Sequence, residues 1–356
     1  MEMKIKDLAV DALNKMGPLL MNKRINCDAI SIITDEGNKH IMMISVYNLD
    51  DELNHIMTQL PNTDFNKANK EGTYYLELGK EYKKENYLYR EMSSQPIGEI
   101  SIKVKLEEVS MDNAGKGIDN KDEQEGTNSN FLTSNLRIGG DDISLCSINQ
   151  GYGTLGCLLY DCNKQLYALT CYHNFRSGGI TGQQGDIAVS PSKDRVNNHP
   201  NREIGTIFWY QYKPGLNDIA LVKITQPERM GVGLKCDRKI AGDFFKGNIK
   251  EGDEVKHCGN TFQYAFRKGK IESDSSFKRL KENDTEFVAK TYVTNMVSKK
   301  GDSGGVVLNK SNEVIGLLYS RHYTGTKYRS FFYDLLAIEE IRETNGSIKF
   351  KFGKYI

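Results

Sequence analysis

The sequence predicts a mostly β chain, a barrel or sandwich preceded by a small α+β segment, on three observations. Beyond residue 130, short apolar runs alternate with turns of Gly, Asn, Asp and Lys. None of those runs combines the length and the 3.6 periodicity of a long helix. Between residues 111 and 130 the composition shifts to Asp, Asn, Gly, Lys, Glu, Gln and Thr, with Met111, Ala114 and Ile118 as the only apolar interruptions. That stretch reads as a linker. It divides the 356 residues into a small α+β domain (1–110), the linker (111–130) and a larger β domain (131–356).

In the first part, a helix is predicted from about Ile5 to Leu19, ahead of the runs Cys27–Thr34 and His40–Tyr47. Asp35-Glu36-Gly37-Asn38 separates the two runs and is a hairpin signal. Asp50 caps a predicted short helix that Pro61 ends. Alternation then places Ile100, Ile102, Val104 and Leu106 on one strand face. After the linker the predicted strands are Thr154–Tyr160, Leu166–Thr170, Ile204–Trp209, Ile219–Ile224, Glu254–Cys258, Phe287–Val293, Gly305–Leu308 and Val314–Tyr319. Phe331–Ile341 reads as a surface helix closing the domain, with Phe332, Leu335, Leu336, Ile338 and Ile341 mostly on one side.

Composition narrows the classes. No stretch approaches the roughly 20 apolar residues of a membrane helix. The first twenty residues mix acids with lysines and read as an amphipathic helix rather than a signal peptide. Seven cysteines without CxxC spacing argue against a zinc ribbon or a disulfide scaffold and fit a reducing, cytoplasmic compartment, although one pair could still bridge. Residues 1–130 hold 16 basic and 23 acidic side chains and the rest hold 32 and 24, net charges of −7 and +8. An intramolecular contact between the acidic and basic parts is one reading, and two unrelated surfaces the other. No basic stripe with interleaved aromatics marks a nucleic-acid partner. No membrane partner is expected either.

The chemistry concentrates in Gly301-Asp-Ser-Gly-Gly305, where the glycines allow the amides of Gly301 and Ser303 to point into one concavity, a nest for an oxyanion. A serine hydroxyl needs a base. Of six histidines, His173 sits where the apolar run Leu166–Thr170 gives way to a loop. A base in turn needs an orienting carboxylate, and Asp218 opens Asp-Ile-Ala-Leu-Val-Lys-Ile224. Each of the three also has a plain structural reading, as a polar turn, a packed histidine or a turn aspartate. No HExxH or paired carboxylate–histidine spacing indicates a catalytic metal.

His173, Asp218 and Ser303 occur in the chain order of chymotrypsin-type enzymes. Over roughly residues 138–340 the sequence resembles the trypsin/chymotrypsin-like serine peptidases, most of all bacterial members with an α+β N-terminal region. The resemblance is carried by Gly-Thr-Leu-Gly-Cys157, Leu-Thr-Cys-Tyr-His173, Asp218-Ile-Ala-Leu-Val, Gly301-Asp-Ser-Gly-Gly305 and Val314-Ile-Gly-Leu-Leu-Tyr319. It implies a chymotrypsin-like fold of two six-stranded antiparallel β-barrels with the cleft between them, and no cofactor. It also implies His173 as general base, Asp218 as its orienter, Ser303 as nucleophile, and the Gly301 and Ser303 amides as oxyanion hole.

The sequence departs from that family in places. Cys171-Tyr172 replaces its alanines before the histidine, and no cysteine follows the histidine; Cys157 and Cys171 are the weak candidates for a bridge. The resemblance assigns the specificity pocket to Val297, Ser298, Lys299 and Lys300, with Tyr319 on the neighbouring strand. Val297 is not an aspartate, so a small or apolar residue is weakly favoured, and Lys299 or Lys300 favours an acidic one. Arg137-Ile138-Gly-Gly140 looks like an activation junction, in which a freed Ile138 ammonium would pair with Asp302.

The resulting expectation is a serine endopeptidase acting on a protein or peptide through an acyl-enzyme. The alternatives are a catalytically silent peptidase-like protein-binding module, or an esterase using the same triad. The N-terminal part is read either as an inhibitory domain or as a recruiting module.

Overall fold

In the computed structural model, the residues described are 6, 9–10, 13–14, 27–34, 40–46, 63–67, 73–78, 101–108, 136–161, 163–194, 202–212, 218–237, 245, 247–261, 265–279, 287–323, 328–334, 340–342 and 348–351. Two large sheets organise them. The first has seven strands in the spatial order Gly153–Thr154, Asp142–Leu145, Ile187–Val189, Glu203–Tyr212, Asp218–Ile224, Leu166–Thr170 and Cys157–Tyr160. The second has eleven. Six of these (Glu254–His257, Val306–Asn309, Val314–Tyr323, Tyr328–Asp334, Phe287–Thr294 and Arg267–Arg279) close into a ring, because the first also pairs with the last. The other five (Cys27–Thr34, His40–Val46, Ser101–Glu108, Thr73–Leu78 and Thr63–Lys67) continue the sheet outward from Arg267–Arg279.

The central strands are apolar on both faces because each face meets a different core. Along Asp218–Ile224, Ile219 and Leu221 enter one cluster while Ala220, Val222 and Ile224 enter another. Along Leu166–Thr170, Tyr167 and Leu169 join the first and Leu166 and Ala168 the second. The same period of two sends Phe331 and Tyr333 inward and Phe332 to a third cluster inside the ring. The first cluster draws on both sheets, Cys157 and Leu159 from one and Val306, Leu308 and Leu317 from the other. This shared core fixes how the two halves meet, and the candidate site lies along that seam.

The fold expectation needs three corrections. The two closed barrels are not both present: the seven-stranded sheet has no closing strand pair among the described residues. The N-terminal part is not a separate α+β domain, since Ala29, Ile30 and Ser31 pair antiparallel with Lys278, Phe277 and Ser276 in one continuous sheet. Helical backbone is described there only at Lys6, Ala9, Val10, Leu13 and Asn14, and there is no complete α-helix among the described residues. Finally, where the closing surface helix was expected, Phe331–Asp334 belong to a strand, Tyr328–Asp334, and Glu340–Arg342 form another, while residues 335–339 lie outside the described residues. Phe331, Phe332 and Tyr333 alternate between two cores rather than lining one stripe.

The predicted hairpin turn at 35–38, the short helix after Asp50 and the linker at 111–130 lie outside the described residues. No helix among the described residues is long and apolar enough to cross a membrane.

Candidate active-site cleft

His173 stands in a single 3-10 turn, Tyr172–Phe175, which begins where the core strand Leu166–Thr170 ends. Its backbone N–H donates to Asp218 Oδ1 at 2.9 Å, and its Nδ1 is bonded to Asp218 Oδ2. Both carboxylate oxygens of Asp218 are therefore committed to one residue, which offsets the cost of burying that charge at a strand mouth. The Asp218 side chain is 1% exposed and that of His173 25%, so the imidazole reaches the surface and its orienter does not. The Tyr333 hydroxyl donates to the Asp218 carbonyl from behind.

Ser303 follows a turn in which Gly301 and Gly304 have φ of +98° and +94°. A side chain at Gly304 would press within 2.3 Å of the Thr154 carbonyl, so the tight path requires glycine there. The Ser303 carbonyl accepts the Thr154 amide at 2.7 Å and the Asn174 carboxamide at 2.9 Å. Asn174 also donates to Thr170 Oγ1 at 2.9 Å, tying the histidine turn to the serine turn across the seam. Thr154 Oγ1 donates to the Gly301 carbonyl at 2.7 Å and accepts the Asn260 amide at 3.0 Å.

The serine hydroxyl itself points elsewhere. Ser303 Oγ donates to the Tyr319 carbonyl at 3.0 Å, and no Ser303–His173 hydrogen bond is present among the described residues. Among the described His, Cys, Asp and Glu side chains, Cys171 and Asp218 gather with His173, one ligand atom from each lying within 4.8 Å of the others. The expected Ser–His–Asp relay is thus replaced by a Cys171–His173–Asp218 cluster, and the serine-endopeptidase expectation does not stand.

Cys171, the residue between the strand Leu166–Thr170 and the 3-10 turn, is fully buried in the shared core with Tyr167 and Leu169. Its Sγ donates to the Leu318 carbonyl at 3.4 Å and lies 3.3 Å from the Tyr333 hydroxyl. Burial, and secondarily the charge of Asp218, push the thiol well above its usual range. The cluster offers a metal one thiol, one imidazole and one carboxylate. Both carboxylate oxygens and the sulfur already have protein partners.

The specificity-pocket residues are scattered by environment. Val297 is exposed, with its carbonyl 3.0 Å from His257 Nε2. Ser298 is buried, its hydroxyl 2.7 Å from that of Ser330 and its carbonyl accepting Arg321 Nη1 at 2.6 Å. Lys299 is half-buried, Lys300 exposed and Tyr319 buried beside Tyr333.

At the candidate activation junction, Arg137 and Ile138 are buried in a strand parallel to Met230–Leu234, and the Ile138 amide donates to Asp141 Oδ2 at 3.0 Å. Asp302 takes its donors elsewhere: the Thr261 amide (2.9 Å), the Thr261 hydroxyl (2.7 Å) and the Lys299 amide (2.7 Å).

A disulfide joins Cys236 to Cys258, whereas Cys157 and Cys171, the pair singled out in the sequence, are both free. Sequence reasoning also missed Thr154, Asn174, Thr261 and Tyr333. Two of these carried a local signal, since Asn174 adjoins His173 and Thr154 sits in the Gly-Thr-Leu-Gly run.

A family model described as a trypsin-like peptidase domain matches residues 155–317. Among solved structures, Thermobifida fusca protease A is similar at 20% identity, covering 61% of this chain and 98% of its own, with a TM-score of 0.43. Cellulomonas bogoriensis chymotrypsin is similar at 19% identity, covering 57% and 93%, with a TM-score of 0.38. The Nocardiopsis protease matches at 15% identity, covering 60% and 98%, with a TM-score of 0.40. With two sheets meeting over a shared core and a family model spanning that seam, the chain carries a distant version of the trypsin/chymotrypsin-like serine-peptidase fold.

Proposed function

We propose that this chain is a catalytically silent peptidase-like module that binds a protein or peptide over the seam between its two sheets. The observation that carries the reading is the Ser303 hydroxyl, whose single proton is given to the Tyr319 carbonyl rather than to His173. Without proton transfer to a base a serine is a weak nucleophile. The part-exposed His173 and Ser303 leave this surface open to a ligand.

The full-length protein and its Ser303→Ala variant, incubated with randomised peptide pools, are expected to retain the same peptides and to cleave none. Cleavage by the unmodified chain that Ser303→Ala abolishes would remove the proposal.

A second reading, a thiol hydrolase, draws on the closeness of Cys171 to His173 and Asp218. It requires a thiolate that burial opposes.

A further inference from the structure

We infer that the Cys236–Cys258 disulfide is a redox site, and that its reduction by a dithiol releases the serine turn from the segment that holds it. The device acts on the turn itself, whether or not that surface binds a peptide.

The two cysteines differ in access. Cys236 is half-buried, Cys258 is fully buried, and the Cys236 amide donates to Cys258 Sγ at 3.2 Å. A dithiol in its thiolate form therefore meets the Cys236 sulfur first. Attack there forms a mixed disulfide on Cys236 and expels Cys258, which takes up a proton. The second thiol of the reductant, losing its proton, attacks the reductant's own sulfur and expels Cys236, which takes up that proton. The products are two protein thiols and one oxidised dithiol.

Both ends of the bridge are tied to the support of the serine turn. Next to Cys236, Lys235 Nζ donates to the Asn260 carbonyl at 3.2 Å, and the Lys235 amide donates to the Gly139 carbonyl at 2.6 Å. Cys258 leads into Gly259–Thr261. There the Asn260 amide donates at 3.0 Å to Thr154 Oγ1, which itself donates to the Gly301 carbonyl at 2.7 Å. Thr261 gives its amide (2.9 Å) and its hydroxyl (2.7 Å) to Asp302 Oδ1. The two residues before Ser303 thus hang, directly or through Thr154, on the segment that follows Cys258.

Room at the bridge is short. A side chain at Gly140 would come within 2.9 Å of Cys258 Sγ, and one at Gly259 within 2.2 Å of Asp302 Oδ1. Two thiols occupy more space than one bonded sulfur pair, and a close-packed interior yields that space only by moving backbone. Once the sulfurs part, Gly259–Thr261 is held at that end by hydrogen bonds without a covalent tie, and it carries Gly301 and Asp302 with it.

The test treats the intact oxidised chain with dithiothreitol in native buffer. One portion is desalted and alkylated with iodoacetamide in denaturant, and the peptides holding Cys236 and Cys258 are weighed. In the other, hydrogen exchange is followed by mass spectrometry in the peptide spanning residues 299–305, with the core strand Leu166–Thr170 as internal reference. Both cysteines are expected to be alkylated, and exchange in the turn to quicken about tenfold while the core strand is unchanged. Reoxidation should restore slow exchange, and the Cys236→Ser/Cys258→Ser variant should exchange at the reduced rate with or without the dithiol. A bridge that resists the dithiol in the folded chain, or a reduced chain whose turn exchanges as slowly as before, overturns the inference. So does quickening that extends equally to Leu166–Thr170, the behaviour of a staple for the whole fold.

Discussion

Thr154 and Asn174, both from the half built on the seven-stranded sheet, reach across the seam to the serine turn. Thr154 holds Ser303 through its amide and Gly301 through its hydroxyl, while Asn174 holds the Ser303 carbonyl from the residue next to His173. His173 and Asp218 stood out in the sequence because each sits at an end of an apolar run, and Ser303 because it sits among glycines. The direction of the Ser303 hydroxyl was not legible, because it depends on a carbonyl sixteen residues further on, brought alongside by tertiary pairing. The burial of Cys171 was hidden in the same way, since it depends on the core that both sheets share.

One prediction belongs to this thiol. Residue-resolved iodoacetamide mapping of the native protein should find Cys171 and Cys157 unmodified while the half-exposed Cys146 reacts. Rapid native alkylation at Cys171 would favour the thiol-hydrolase reading.

Asp141 carries a second prediction. Burial raises its pKa, with the Ile138 amide, Lys235 and Arg137 opposing. Between the ordinary carboxylate value and the raised one, the folded state binds more protons than the unfolded state. The contribution of this group to stability therefore falls as pH rises through that window. Urea titrations across acidic pH should show this component flattened in Asp141→Asn, and an unchanged pH profile would refute it.

At the level of elements, runs with simple apolar texture were readable. Leu166–Thr170 has its expected bounds, and Asp218–Ile224 and Val314–Tyr323 contain the predicted cores. Arg267–Arg279 was not readable. Its sequence RKGKIESDSSFKR is charged and half-exposed, and its pairing with Phe287–Thr294 shifts register three times, which erases a period of two. Tyr328–Asp334 misled for the opposite reason: consecutive aromatics are all buried because the strand separates two cores.

The cysteines were equally opaque, because Cys236 and Cys258 meet only through the fold. Their bridge closes a loop with a sequence separation of 22 next to the Gly259–Thr261 segment that holds Asp302. Replacing both with serine should lower stability by about 3 kcal/mol, read from denaturant unfolding. A loss near zero would mean the bridge constrains little.

For the whole molecule, the sequence conveyed the β character of the peptidase-like region. It did not convey that N-terminal strands extend the sheet of the C-terminal ring. That junction is made by three backbone pairings, Ala29 with Lys278, Ile30 with Phe277 and Ser31 with Ser276. No composition or charge pattern encodes such a pairing across roughly 250 residues. The opposite charges of the two parts do have a local counterpart, although with the signs exchanged: Lys6 of the N-terminal part lies 2.8 Å from Asp274 and 3.5 Å from Glu251.

The proposed silence of the site depends on Ser303 resting on a backbone carbonyl instead of being deprotonated by His173. Treatment of the intact chain with a fluorophosphonate, followed by mass spectrometry of the peptide containing residue 303, tests this most directly. No adduct above that of a His173→Ala control is predicted; a stoichiometric adduct on Ser303 that disappears in that control would contradict it.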